Sequence, residues 1–178
     1  MAEHVLLLTG PPGIGKTTVI RRVAEGLAGR RLGGFYTEEI RDHGERRGFR
    51  LTTFSEQEIV MAHVDLPKRF HVGRYGVDVA GIDAVVESAL RLDPTIDGYL
   101  VDEIGKMECL STRFIAAMRS LLDSGKSVVA TIALRGPGFM TQVKQLPEAQ
   151  LWELNHKNRD DMPDKVIAWL GNTLPMRR

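Results

Sequence analysis

Apolar positions along the chain alternate between two rhythms, continuous runs of four to six residues and runs at helical spacing. Val5-Leu-Leu-Leu-Thr9 reads as a strand buried on both faces, and Val19, Ile20, Val23 and Leu27 then recur at the spacing of one helix face. Strand character returns over residues 33–41. The turn signal Asp42-His-Gly-Glu45 leads into 47–53, which predicts a hairpin. Residues 58–77, broken by Pro67 and the Gly73-Arg-Tyr-Gly76 turn, read as short strands and loops. Ile82, Val85, Val86, Ala89 and Leu90 predict a helix ended by Asp93-Pro94, because proline disfavours helix in the residue before it. A buried strand follows at Tyr99–Asp102. Phe114, Ile115, Met118, Leu121 and Leu122 mark another helix, stopped near Gly125, and Ser127–Ile132 is the next buried strand. Met140, Val143 and Leu146 suggest a short helix, Gln150–Leu154 a last strand, and Asp164–Leu170 a closing helix. Strands alternating with helices predict an α/β, three-layer, doubly wound fold, its sheet predominantly parallel with a β-hairpin addition. No repeat or linker interrupts residues 1–178, so one domain is expected.

Composition narrows the partners. The 24 Lys plus Arg against 23 Asp plus Glu give a net charge of +1, and no basic stripe or aromatic interleaving argues for nucleic acid or a membrane surface. The clusters Arg46-Arg47 and Arg177-Arg178 read as solvated surface. No apolar stretch approaches the roughly 20 residues of a membrane span. Cys109 is the single cysteine and cannot form an internal disulfide. The N-terminus enters a strand without the basic and apolar regions of a signal peptide, so a reducing cytoplasm is expected, and separately a monomer.

The chemistry concentrates first in Gly10-Pro-Pro-Gly-Ile-Gly-Lys-Thr17, a Gly-x-x-x-x-Gly-Lys-Thr pattern set between a strand and a helix start. Gly10, Gly13 and Gly15 let backbone N–H groups approach phosphate oxygens closely, while Pro11 and Pro12 stiffen the bend around Ile14. The helix N-terminus adds its positive dipole. Lys16 can reach the β- and γ-phosphates, and the Thr17 hydroxyl, followed by Thr18, is the expected protein ligand to Mg²⁺.

The second element is Val101-Asp102-Glu103, a buried strand that delivers two carboxylates to the carboxyl edge of the sheet, where ligands bind in this architecture. Asp102 fits the metal-holding role and Glu103 that of the base for the attacking water. His63, His71 and His156 have no metal-ligand spacing with one another or with Cys109, so zinc is not expected. Trp152 and Trp169, among apolar neighbours, read as core anchors.

Taken together, Gly10-Pro-Pro-Gly-Ile-Gly-Lys-Thr-Thr18, Gly34-Phe-Tyr-Thr-Glu-Glu-Ile-Arg41, Arg47-Gly-Phe49 and Val101-Asp-Glu-Ile-Gly-Lys-Met-Glu108 resemble the THEP1 family of nucleoside-triphosphatases. The resemblance runs from the N-terminus to about Arg159. It implies a RecA-like or kinase-like P-loop fold in which Val128–Ile132 is inserted between the loop strand and the Asp102 strand. It also implies hydrolysis of ATP, GTP and other nucleoside triphosphates with broad base tolerance. In that arrangement Thr131 is expected as a sensor near the γ-phosphate, and Arg135, in a Gly-Pro-Gly loop, as a cation for transition-state charge. Asn158 or Arg159 is expected to contact the base. Glu38 and Glu39 alternate faces on their strand, so at most one should point at the site. Lys106 is left between phosphate and a surface acid.

Two rivals stay open at the level of sequence. The loop also suits a nucleotide or nucleoside kinase, whose acceptor hydroxyl could use Glu103 as water would. A GTPase-like switch is suggested by Asp102-Glu-Ile-Gly105. It lacks the Asn-Lys-x-Asp guanine motif, for Asn155-His-Lys-Asn-Arg-Asp160 has the wrong order.

Overall fold

A computed structural model describes residues 3–176; Arg177 and Arg178, expected on the surface, lie outside the described residues. In chain order the elements are β1 (Val5–Thr9), α1 (Lys16–Gly26), β2 (Leu32–Asp42), β3 (Glu45–Thr53), β4 (Glu58–His63), β5 (His71–Val72), β6 (Tyr75–Val77) and α2 (Val79–Ala89). They continue with β7 (Gly98–Ile104), a 3-10 turn at Glu108–Leu110, α3 (Thr112–Leu122), β8 (Ser127–Ile132), α4 (Phe139–Lys144), β9 (Ala149–Glu153) and α5 (Met162–Thr173). The strands form one sheet in the order β5-β6-β4-β3-β2-β7-β8-β1-β9. The run from β2 to β9 is parallel, and β3 to β6 extend it with antiparallel pairs. As the resemblance implied, β8 lies between β1 and β7.

The period of two explains why β1 is apolar throughout. Val5 and Leu7, with Tyr99 and Val101 of β7, face a cluster completed by Val85 and Val86 of α2 and Phe114 and Met118 of α3. Leu6 and Leu8, with Leu100 and Val129, face Val19, Ile20 and Val23 of α1 and Val166 and Leu170 of α5. Helices on both faces leave no water-facing side, so alternation disappears from the sequence. Each of these side chains contributes about 1.5–3 kcal/mol by leaving water.

Two irregularities shape the functional edge. Pairing of β2 with β7 stops at Phe35↔Val101, whereas β2 runs on to Asp42 paired only with β3. Its second half therefore stands beyond the carboxyl ends of the parallel strands. At the tip of β7 the register with β8 passes from Val101↔Ala130 to Ile104↔Ile132, so Asp102 and Glu103 together oppose Thr131. Such a bulge re-aims side chains that strict alternation would send to opposite faces.

The tryptophans differ from expectation. Trp152 and Trp169 are only partly buried and pack against the α1/α5-side cluster from outside. Trp152 sits on the edge strand β9, where the indole N–H donates to Gln150 Oε1 at 3.1 Å.

Candidate active site

The loop between β1 and α1 is built to leave donors free. Gly15, the residue capping α1, has φ 115°, and Gly13 has φ 77°, a region that side chains disfavour. No side chain caps α1 and no acid stands in its first turn, so the orphan N–H groups of that turn face the loop. Lys16 Nζ donates to the Gly10 carbonyl at 2.8 Å and lies 3.6 Å from Glu103 Oε2. The cation is thereby held over the loop, beside the strand tip.

Asp102, 1% exposed, gathers donors from three other segments. Its Oδ1 accepts from Thr131 Oγ1 at 2.7 Å, and its Oδ2 accepts from Thr17 Oγ1 at 2.7 Å. The Thr37 N–H and Oγ1 also approach Oδ2, each at 3.3 Å. Thr131 is fully buried behind the carboxylate, so it meets Asp102 and does not line the cleft where a sensor would touch phosphate. The sequence reading assigned no role to Thr37; its place in Gly34-Phe-Tyr-Thr37 was the available signal, and the contact spans 65 positions.

Glu103 is only partly covered, its side chain 30% exposed. Burial pushes its carboxyl above the usual carboxylate range, and the charge of Lys16 pulls it partly back. Glu108, another residue without an assigned role, is buried against it, and burial followed by the Glu103 charge raises its carboxyl well above the ordinary value. The two carboxyls close on Gly105: a Cβ there would come within 2.7 Å of Glu103 Oε1 and 2.9 Å of Glu108 Oε2. A side chain at this position would have to push one of the two carboxyls aside. Next in the chain, burial pushes the Cys109 thiol up to about 12.

These groups open into a cleft of about 810 Å³ whose wall includes Gly10, Pro12, Gly13, Gly15, Lys16, Thr17, Thr18, Asp102 and Glu103. Lys106 and Arg135 also reach it, both exposed. Glu38 and Glu39 both line it, contrary to the expectation that strand alternation would admit at most one. The half of β2 that carries them projects past β7, so either face of the strand can reach the rim. Glu38 is paired with Arg21 at 2.6 Å, and Glu39 with Arg41 at 2.6 Å and Arg46 at 3.0 Å.

A second hollow of about 150 Å³ lies on the other side of the loop, lined by Ile14, Gly15, Thr18, Arg22 and Arg159 among others. Arg159 Nη1 donates weakly to the Ile14 carbonyl at 3.5 Å. Asn158 is occupied at both ends of its amide: Oδ1 accepts from the Asn155 N–H at 2.9 Å and Nδ2 donates to the Glu153 carbonyl at 2.8 Å. It shapes the loop that carries Arg159. Pro11 lies outside the cleft wall, its carbonyl accepting from the Ile14 N–H at 3.2 Å.

Residues 5–167 match the family model described as NTPase. A protein named Nucleoside-triphosphatase THEP1 from Thermotoga sp. (strain RQ2) is 39% identical over 166 residues, covering 93% of this chain and 94% of that protein. The chain belongs to the THEP1 family. The match passes Arg159, where the sequence resemblance had been placed, and ends within α5. The crystal structure of THEP1 from Aquifex aeolicus superposes with a TM-score of 0.83 at 33% identity, covering 93% of this chain and 98% of that one. The solution structure of a human cancer-related nucleoside triphosphatase gives a TM-score of 0.81 at 32% identity, covering 99% and 100%. The THEP1 fold thus extends over nearly the whole chain, including the antiparallel strands that wall the cleft.

Proposed function

We propose that the chain is an Mg²⁺-dependent nucleoside-triphosphate phosphohydrolase that releases orthophosphate and a nucleoside diphosphate with broad base tolerance. The observation that carries this reading is the convergence of the uncapped α1 N-terminus, Lys16, the Thr17–Asp102 contact of 2.7 Å and Glu103 on one cleft.

The donor set suits magnesium, a hard cation that takes oxygen ligands and keeps several waters. Thr17 Oγ1 and Asp102 Oδ2 supply two such oxygens side by side, and Thr131 holds the other carboxylate oxygen in place. Held there by Thr17 and Asp102, the ion would supply positive charge against that developing on the phosphates. The chain's own groups do the remaining work. Backbone N–H groups of residues 10–17 cradle the polyphosphate, and Lys16 exchanges its bond with the Gly10 carbonyl for one with a phosphate oxygen. Glu103 orients a water and accepts its proton as oxygen attacks the γ-phosphorus and the bond to the bridging oxygen breaks. Arg135 offers charge to the equatorial oxygens. The nucleoside extends from the loop past Gly15 and Thr18 toward Arg22 and Arg159, which line the smaller hollow. Among the described residues no helix is long and apolar enough to cross a membrane, and a cytoplasmic monomer completes the reading.

Phosphate release from ATP, GTP, CTP and UTP, each alone with Mg²⁺ and again with excess chelator, tests it. Release from all four with Mg²⁺, abolished by chelation, is expected. No release from any of them overturns hydrolysis, and release indifferent to chelation overturns the metal assignment.

A further inference from the structure

The large cleft has two chemically distinct arms. One holds Lys16, Thr17, Asp102 and Glu103, and it meets the smaller hollow at Gly15 and Thr18, which line both. On the placement of the polyphosphate proposed above, the nucleoside of the triphosphate belongs in that smaller hollow, between Arg22 and Arg159. The other arm is formed mainly by the antiparallel strands, which continue the sheet past β2 on the side away from β1. Its wall is Phe49 of β3, Met61 of β4, Val72 of β5 and Met107, with Glu39 and Arg46 at the rim. Met61 is buried, whereas Phe49, Val72 and Met107 are partly buried. Phosphate and its attacking water have no use for four apolar side chains.

We propose that this arm is an acceptor subsite for an uncharged nucleoside, so that the chain also transfers the γ-phosphoryl group to a sugar hydroxyl. A flat ring would enter beside Phe49, over whose ring the Arg46 guanidinium already stands at 5.5 Å, and the thioethers of Met61 and Met107 are adaptable partners for aromatic rings. The Arg46–Glu39 pair, 3.0 Å apart, presents a donor and an acceptor to a base edge. Charge favours a neutral acceptor. Glu38 is paired with Arg21, and Glu39 with both Arg41 and Arg46, so each of these three arginines is already engaged by a carboxylate rather than free for a monophosphate. Glu103 stands between the arms and takes the hydroxyl proton as it would take one from water. The hydroxyl oxygen bonds to the γ-phosphorus, the bond to the β,γ-bridging oxygen breaks, and the products are a nucleoside monophosphate and a nucleoside diphosphate.

The full chain is incubated with ATP and Mg²⁺, alone and with adenosine, guanosine, cytidine, uridine or thymidine. Phosphorus NMR and mass spectrometry then read the products. At least one nucleoside is expected to yield its monophosphate in excess of orthophosphate, one ADP formed per product. The same nucleoside should bind saturably, by calorimetry, to the chain loaded with Mg²⁺ and a non-hydrolysable ATP analogue, which keeps it out of the smaller hollow. Phe49→Ala should lower the ratio of monophosphate to orthophosphate by about 10-fold or more, the scale of a lost apolar pocket contact. If Phe49→Ala does not fold, Val72→Arg, which fills the arm from a two-residue strand, carries the same expectation. Orthophosphate as the sole product with all five nucleosides, or an unchanged ratio in a folded variant, overturns the proposal. Orthophosphate from ATP alone without any nucleoside product defeats the acceptor subsite and leaves hydrolysis standing. Silence in every arm defeats both.

Discussion

Helices α1 and α3 are both 11 residues long and both bury an apolar stripe against the sheet, yet they begin in opposite ways. At α3 the Ser111 hydroxyl accepts from the Phe114 N–H at 3.0 Å and itself bonds Asp83. That start is sealed by the chain itself. At α1 the capping position is Gly15, no side chain answers the first-turn N–H groups, and no acid sits beside the positive end. Glycine in place of a serine-type cap costs a helix only about a few tenths of a kcal/mol. The loss makes sense where an outside anion completes the helix, and the carboxylates that could compete, Asp102 and Glu103, arrive instead from β7 across the cleft. Sealed starts serve folding, and open ones serve binding.

The contrast can be broken by substitution. Glu103→Gln leaves the open start intact and removes only the base, so kcat should fall by roughly 10²–10⁴-fold while calorimetry shows nucleotide affinity retained. Wild-type turnover in that variant would refute the assignment. The same carboxylate sets a pH limb. Glu103 must be ionised to act and burial raises its pKa above 4.5, so kcat/KM should drop as pH falls through that raised value. The limb should vanish from the residual activity of Glu103→Gln.

Thr18→Asp installs at α1 the negative charge that an ordinary helix start would welcome. Thermal unfolding should register a gain of about 0.3–1 kcal/mol, and triphosphate affinity should weaken by about 10-fold, or 1.4 kcal/mol. Tighter binding would mean that the first-turn N–H groups do not face the anion. Ser111→Ala opens the sealed start: stability should fall by about 1 kcal/mol, lowering Tm by about 2–4 °C, with kcat/KM at the wild-type value. A marked fall in kcat/KM would tie α3 to the chemistry.

What could be read in advance follows from how local each signal is. The residue 10–17 loop was legible because strand, glycines, lysine and helix are contiguous, and β1, β7 and β8 because burial on both faces turns them into unbroken apolar runs. The parallel order with β8 inside came from family resemblance, since nothing in a run such as Val128–Ile132 says which neighbour it takes. Thr37 and Glu108 carried no local mark of their place. Thr37 depends on β2 passing the end of β7, and Glu108 on a chain reversal at Gly105 that lets two carboxyls share one corner. The reading of Glu38 and Glu39 rested on strand alternation alone, whereas that stretch runs past β7, pairs only with β3 and lets both side chains reach the rim. Thr131 was placed in the right strand at the right end, but the bulge at Asp102 and Glu103 puts the carboxylate between it and the cleft.

Cys109 gives the molecule a practical property. With its thiol pushed up to about 12, almost none of it is thiolate at neutral pH, the form that alkylating reagents attack. As the chain's one native cysteine, it makes the wild-type protein a silent background for spectroscopic labels. A cysteine introduced at Leu134, 40% exposed in the segment beside Arg135, would take a fluorophore selectively and report movement of that loop as nucleotide arrives.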